Sequence, residues 1–262
     1  MLALIAGSGD LPAELVARLS DRPLICAMSG FEPTSVEAEL TFRLEQLGSF
    51  LIELKSRGVT EICMVGGVGR PSINPTAIDA ATMPLVPILQ AALLAGDDGA
   101  LRAVIGIFEQ LDFAVRAAQE VAPDLLMAAG VVTKVQPGEL DKADAVRGAE
   151  IVAAMSAADI GQSCAIRTRQ AIAVENTFGT DWMLQSLQNR PDGSGGVLFK
   201  APKPAQDLRA DLPTIGPATV ELTAKAGLSG LVLEADGVIV LAQDEVIATA
   251  DRLGLFLWLR PA

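Results

Sequence analysis

Short apolar runs alternate with amphipathic stretches from the first residues onward, and that alternation limits the chain to a small set of folds. "LALIAG" reads as a strand, "GSGD" as a turn and "LPAELVARLS" as a helix, with Asp10 placed to cap it and Pro12 suited to its first turn. The pattern repeats through a strand "PLICAM", a helix "LGSFLIELKSRG" ending at Gly58 and a strand "EICMVGG". In "GDDGALRAVIGIFEQLD" the apolar residues Leu101, Val104, Ile105 and Phe108 fall at helical spacing. Repeated βα units of this kind predict a Rossmann-like domain with a mainly parallel sheet.

The rhythm changes near residue 135, where Pro137 and Gly138 mark a boundary. The expected division is an N-terminal domain over 1–134 and a C-terminal domain over 135–262. The second half predicts a mixed α/β sheet: a helix "ADAVRGAEIVAAMSAAD", strands "SCAIRT" and "AIAVEN", a helix "TDWMLQSLQNR" and a strand "GVLFKA". Helices "GPATVELTAKAG" and "DEVIATADRLG" then alternate with strands "GLVLEAD", "GVIVLA" and "LFLWLR". With 262 residues, half of them apolar, the chain can bury a core in each domain.

Charge and residue counts exclude whole classes of function. Against 32 acidic residues stand 20 basic ones, for a net charge of -12, and no Lys/Arg cluster is dense enough to follow a nucleic-acid backbone. The carboxylate excess supplies hard oxygen ligands for a cation such as Mg²⁺, although solubility alone explains it equally well. The histidine count is zero, which removes the Ser-His-Asp triad, the imidazole base and His-bearing zinc sites. Cys26, Cys63 and Cys164 are scattered among apolar neighbours and read as buried thiols of a reducing compartment. No positive charge precedes Arg18 and no long apolar run opens the chain, so the expected location is the cytoplasm. The nearly polar-free stretch from Ala80 to Gly96 carries Pro84 and Pro87 and is short for a membrane span; it reads as a buried loop and helix, or a patch beside an apolar ligand.

Several loops are candidate sites. Gly7, Ser8 and Gly9 lie between a first strand and a first helix, where free N–H groups receive phosphates, and a tight turn is the competing reading. The third glycine of a GxGxxG fingerprint is missing, which disfavours a nicotinamide dehydrogenase. In "GGVGRP" the glycines admit a ligand and Arg70 suits a phosphate or carboxylate. Asp97 and Asp98 are helix caps or contacts to metal or sugar. Asp159, Gln162, Glu175, Thr180 and Asp181 bracket two strands and a helix start and can converge at one sheet edge; Thr180 or Asp181 can instead cap that helix.

"KAPKPAQDLRADLPTIGPAT", residues 200–219, differs in kind. Its prolines stiffen the backbone while Lys200, Lys203, Asp207, Arg209 and Asp211 alternate cation and anion, and ordering such a segment is costly unless it binds something. The cations suit phosphate oxygens, and Asp207 and Asp211 suit a metal or a water being activated. A solvated, self-paired loop is the alternative.

This motif, with "LIAGSGDLPAELVA", "VGGVGRP", "GDDGALRAV", "DIGQ", "AVENTFGTDWM", "AGLSGLVLEADGV" and "LGLF", resembles the LpxI-type UDP-2,3-diacylglucosamine pyrophosphatases, in order from Leu4 to Phe256. The resemblance implies a two-domain, homodimeric, cytoplasmic enzyme of lipid A synthesis, with peripheral contact to the inner membrane. With Mg²⁺, water attacks the α-phosphorus of UDP-2,3-diacylglucosamine and releases UMP and 2,3-diacylglucosamine 1-phosphate, lipid X. It also implies that Asp211 in "DLP" is the essential aspartate, as metal ligand or general base. Lys200, Lys203, Gln206, Arg209, Thr214, Asp98, Gln162 and Asp181 are the implied substrate contacts. The chain departs from the family pattern at Phe178, where a glutamate is frequent, at Gly67, where an asparagine is, and at Gln119-Glu120. Because Phe178 removes a carboxylate, the alternative is a catalytically inactive regulator that binds nucleotide sugar or lipid.

Overall fold

Strand β1, Leu2–Ala6, is buried along nearly its whole length because it runs through the middle of a parallel sheet. The computed structural model describes residues 1–69, 71–94, 97–204, 207–209 and 212–261, and for residues 93, 97 and 98 the backbone alone. After β1 come α1 (Leu11–Arg18), β2 (Leu24–Met28), β3 (Leu40–Phe42), α2 (Leu47–Ser56), β4 (Glu61–Val65), α3 (Val86–Leu94), α4 (Asp97–Gln110), β5 (Ala114–Arg116) and α5 (Ala118–Val121). The strands pair in the order β3-β2-β1-β4-β5, all parallel, which is a Rossmann-type arrangement. Leu47, Phe50, Leu51 and Leu54 make one apolar stripe on α2, and the Phe50 ring stacks on Phe42 at 4.0 Å. Gly58, at φ 76°, closes that helix as the sequence suggests, with Val59 N–H reaching back to Leu54 O.

The later elements are β6 (Gly130–Val131), α6 (Glu139–Ser156), β7 (Ser163–Arg167), β8 (Gln170–Val174), α7 (Gly179–Ser186), β9 (Val197–Lys200), β10 (Thr214–Ile215), α8 (Pro217–Lys225), β11 (Gly230–Glu234), β12 (Ile239–Val240), α9 (Gln243–Leu253) and β13 (Phe256–Arg260). Six strands form a mixed sheet, β6-β13-β11-β9-β7-β8, in which β9, β11 and β13 run parallel and β6, β7 and β8 run against their neighbours. Strand β9 lies inside this sheet and all four of its residues are buried, Lys200 included. Helix α6 crosses close above it at Gly148, where any Cβ would come within 2.6 Å of the Phe199 side chain. The expected strand "GVIVLA" contracts to Ile239–Val240, which pairs with β10 in a separate two-stranded ladder.

The chain packs as two units, Met1–Pro123 with Asp207–Asp211, and Asp124–Gln206 with Leu212–Ala262. Residues 130–134, placed on the sequence with the first domain, pack with the second. Strand β6 pairs with β13, Val132 N–H donates to Leu257 O, and Lys134 N–H donates to the Asp251 carboxylate. Backbone pairing of this kind outweighs the turn signal at Pro137–Gly138, which marks the entry to α6.

Candidate active site

The second unit builds a buried cation at the C-terminal end of its interior strand β9. Antiparallel pairing of β7 with β9 sets Ser163 opposite Lys200, on the same face of the sheet. The first turn of α7 brings in Thr180, whose Oγ1 accepts a 2.6 Å hydrogen bond from Lys200 Nζ and shares another of 3.3 Å with Ser163 Oγ. Lys200 is 6% exposed, Thr180 8% and Ser163 0%. No carboxylate among the described residues pairs with the Lys200 ammonium, whose partner is a neutral hydroxyl. A buried cation in that setting favours an arriving anion, because Coulomb attraction is weakly screened there and desolvation has already been met by the fold.

The other polar groups expected at a sheet edge gather round the same strands. Ala201 N–H donates to Gln162 O, and Gln162 N–H donates to Glu175 Oε2 at 3.2 Å. Lys203 pairs with Asp159, which sits at φ 51° in the loop between α6 and β7. The capping alternative for Thr180 and Asp181 does not hold: the N-cap position of α7 is Phe178, and Thr180 turns its hydroxyl to Lys200 instead. Asp181 is exposed in that first turn, where a carboxylate complements the helix dipole. Thr214 is elsewhere in the unit, on β10, and donates to Leu212 O.

In the first unit the turns after β1 and β4 are zipped together. Gly7 N–H donates to Val65 O at 2.8 Å, and Ser8 and Gly67 exchange backbone hydrogen bonds of 2.9 Å each way. A Cβ on Gly7 would fall 2.4 Å from Gly67 O, so glycine is required there by backbone meeting backbone. The N–H groups of Gly7 and Ser8, read on the sequence as phosphate donors, are therefore spent within the protein. Gly9, at φ 95°, makes the turn, and its carbonyl accepts from Ser35 Oγ.

Residues 207–209 also belong to this unit. Arg209 forks onto Asp207, Nε to Oδ1 at 2.9 Å and Nη2 to Oδ2 at 2.7 Å, while its Nη1 reaches Glu109 Oε1 on α4 at 2.5 Å. The Arg209 hydrogen bonds hold the Asp207 carboxyl below the usual carboxylate range, against a smaller opposing effect of burial. Hydrogen bonds to Asp207 and then Glu109 raise Arg209 further above its ordinary value. Arg70, Gln206 and Asp211 lie outside the described residues, as does the Asp98 side chain.

A Mg²⁺ site does not assemble from the described residues alone. They contain no group of three or more carboxylate or thiol side chains able to hold a metal, and both oxygens of Asp207 are engaged by Arg209. The cysteines offer no substitute nucleophile, since burial pushes the thiols of Cys26, Cys63 and Cys164 up to about 12. Two polar partners here escaped the sequence reading. Ser163 shows itself only through strand register, and Glu109 is one more acidic residue on the polar face of a helix.

Comparison with known proteins adds the family. A model described as the LpxI N-terminal domain matches residues 1–125, and one described as the LpxI C-terminal domain matches residues 128–258. The UDP-2,3-diacylglucosamine pyrophosphatase LpxI of Caulobacter vibrioides is 34% identical over 268 residues, covering 98% of this chain and 96% of that protein.

Proposed function

The chain belongs to the LpxI family, and we propose that it hydrolyses the pyrophosphate of UDP-2,3-diacylglucosamine to UMP and 2,3-diacylglucosamine 1-phosphate in lipid A biosynthesis. The observation that carries this reading is the match to a pyrophosphatase of that name over 98% of this chain and 96% of that protein, across both domains.

The geometry supports the same chemistry. Adjacent phosphate oxygens repel a nucleophile, so the site must supply fixed positive charge where negative charge builds. Lys200, buried and held by Thr180, is such a charge. Lys203, already paired with Asp159, adds a second cation three residues further along the chain. In the reaction, the water oxygen bonds to the α-phosphorus and the bond from that phosphorus to the bridging oxygen breaks. The bridging oxygen leaves on the sugar 1-phosphate, and the water proton passes to a base. Asp211 is the proposed carboxylate for that step, by its place in the "DLP" motif. Mg²⁺ is part of the proposal: when bound, it would neutralise charge on the pyrophosphate oxygens.

The diacyl half of the substrate calls for apolar surface. The first unit offers a groove of 440 Å³ between α3 and α4, lined by Pro87, Ile88, Ala91, Ala92, Gly99 and Ala103, with Met83 and Leu94 exposed nearby. No helix among the described residues is long and apolar enough to cross a membrane. By its resemblance to the family, we propose that the enzyme is cytoplasmic and acts as a homodimer that touches the inner membrane peripherally to take up substrate. The reading is tested with Asp211→Asn and with chelation: the variant binds substrate without turning it over, and EDTA stops the parent until Mg²⁺ is restored. Undiminished turnover in the variant removes Asp211 from the chemistry, and undiminished turnover in EDTA removes the metal.

A further inference from the structure

Arg209 links a loop to a helix. Its planar guanidinium is fixed on one side by a two-bond fork to Asp207, whose backbone geometry is tightened by Arg209 N–H donating to the same carboxylate at 3.1 Å. On the other side its Nη1 is held by Glu109, one hundred residues away in sequence and near the C-terminal end of α4. Arg102 lies two turns earlier on that helix and attracts Asp207 electrostatically. The helix thus presents a cation and an anion, seven residues apart on one face, to the anion and cation of the loop.

We infer that Glu109 is a positioning residue: through Arg209, it holds against α4 the segment that leads into Asp211. The inference rests on the reading of Asp211 as the reacting carboxylate. Only two peptide units join Arg209 to Asp211, so the chain itself keeps their Cα atoms within about 7.6 Å, and a fixed Arg209 narrows where that carboxylate can go. The energetics set this role apart from a stabilising one. Glu109 is 49% exposed at its side chain, and an ion pair that open to water adds little to global stability. Its geometric effect is specific, because three heavy-atom contacts fix the guanidinium in position and plane.

The test is steady-state turnover of UDP-2,3-diacylglucosamine by Glu109→Gln, Arg209→Ala and the double variant, with Asp211→Asn alongside. Glu150→Gln, which breaks the comparably exposed Arg147–Glu150 pair on α6, is the control. Glu109→Gln is expected to lower kcat about tenfold to hundredfold with KM changed little, since a misplaced reacting group affects the chemical step. Its unfolding midpoint stays that of the parent, and Glu150→Gln turns over normally. In the Arg209→Ala background the Glu109 substitution costs nothing further, because the link is already gone. If Asp211→Asn is inactive while Glu109→Gln matches the parent, or loses as much activity without Arg209 as with it, the positioning role is overturned and the reading of the site stands. If Asp211→Asn is fully active, the reading of the site fails first.

Discussion

Lys200 places its buried ammonium 2.6 Å from the Thr180 hydroxyl, and Thr180 in turn shares a hydrogen bond with Ser163, the residue opposite Lys200 across two strands. An ammonium held in this way is expected to be a poor stabiliser and a receptor for phosphate, since among the described residues a neutral hydroxyl is the partner that offsets the desolvation of its charge.

Replacing the cation with an apolar side chain of similar length separates those two properties. Lys200→Met is expected to reduce kcat/KM about hundredfold, the scale of a lost charged hydrogen bond in a dry site. Its urea midpoint is expected to equal or exceed that of the parent, because Thr180 keeps Ser163 as a partner. Steady-state kinetics and equilibrium unfolding on the same preparation check both halves, and parent-like turnover takes Lys200 out of the site.

The zipped turns of the first unit predict an order among glycine variants. Gly7→Ala drives a methyl group into the Gly67 carbonyl and breaks a backbone contact that has no room to shift, costing about 3 kcal/mol. A Cβ on Gly9 meets nothing within 4 Å, so Gly9→Ala costs only its left-handed strain, about 1 kcal/mol. Urea unfolding measures the two, and equal losses contradict the packing account of this loop.

Acid should loosen the Asp207–Arg209 fork. Because the folded pKa of Asp207 is depressed, its contribution is complete above the unfolded carboxylate value of about 3.9 and is lost as pH falls through the folded one. Asp207→Asn is thus expected to be less stable than the parent at pH 7, with the gap closing as the pH is lowered below about 4. Unfolding midpoints taken from pH 7 to pH 3 give the comparison. A gap that stays constant throughout means that the carboxylate charge plays no part.

The α/β order was readable because strands such as β1 and β4 are continuous apolar runs, and α2 carries its stripe at 3.6 spacing. Strands β3 and β5, three residues each, are too short to show a period, and they are strands because a neighbour pairs with them. Lys200 and Thr180 were legible as polar residues beside buried strands. Their union was not, since it depends on which residue of β7 lies opposite β9 and on how α7 packs over that end. The loop glycines misled for a physical reason: a turn that admits a phosphate and a turn that admits another backbone need the same residue. The partners of Arg209 were not legible either, since a guanidinium suits a phosphate and a carboxylate equally well, and in the fold it meets the carboxylates of Asp207 and Glu109.

Water attack at the α-phosphorus of UDP-2,3-diacylglucosamine leaves an isotopic signature, read by running the purified protein with Mg²⁺ in water enriched in oxygen-18 and weighing both products. The expected products are UMP carrying one heavy oxygen and 2,3-diacylglucosamine 1-phosphate carrying none. Label on the sugar phosphate, or tight binding of the substrate with no product at all, would contradict attack at that phosphorus.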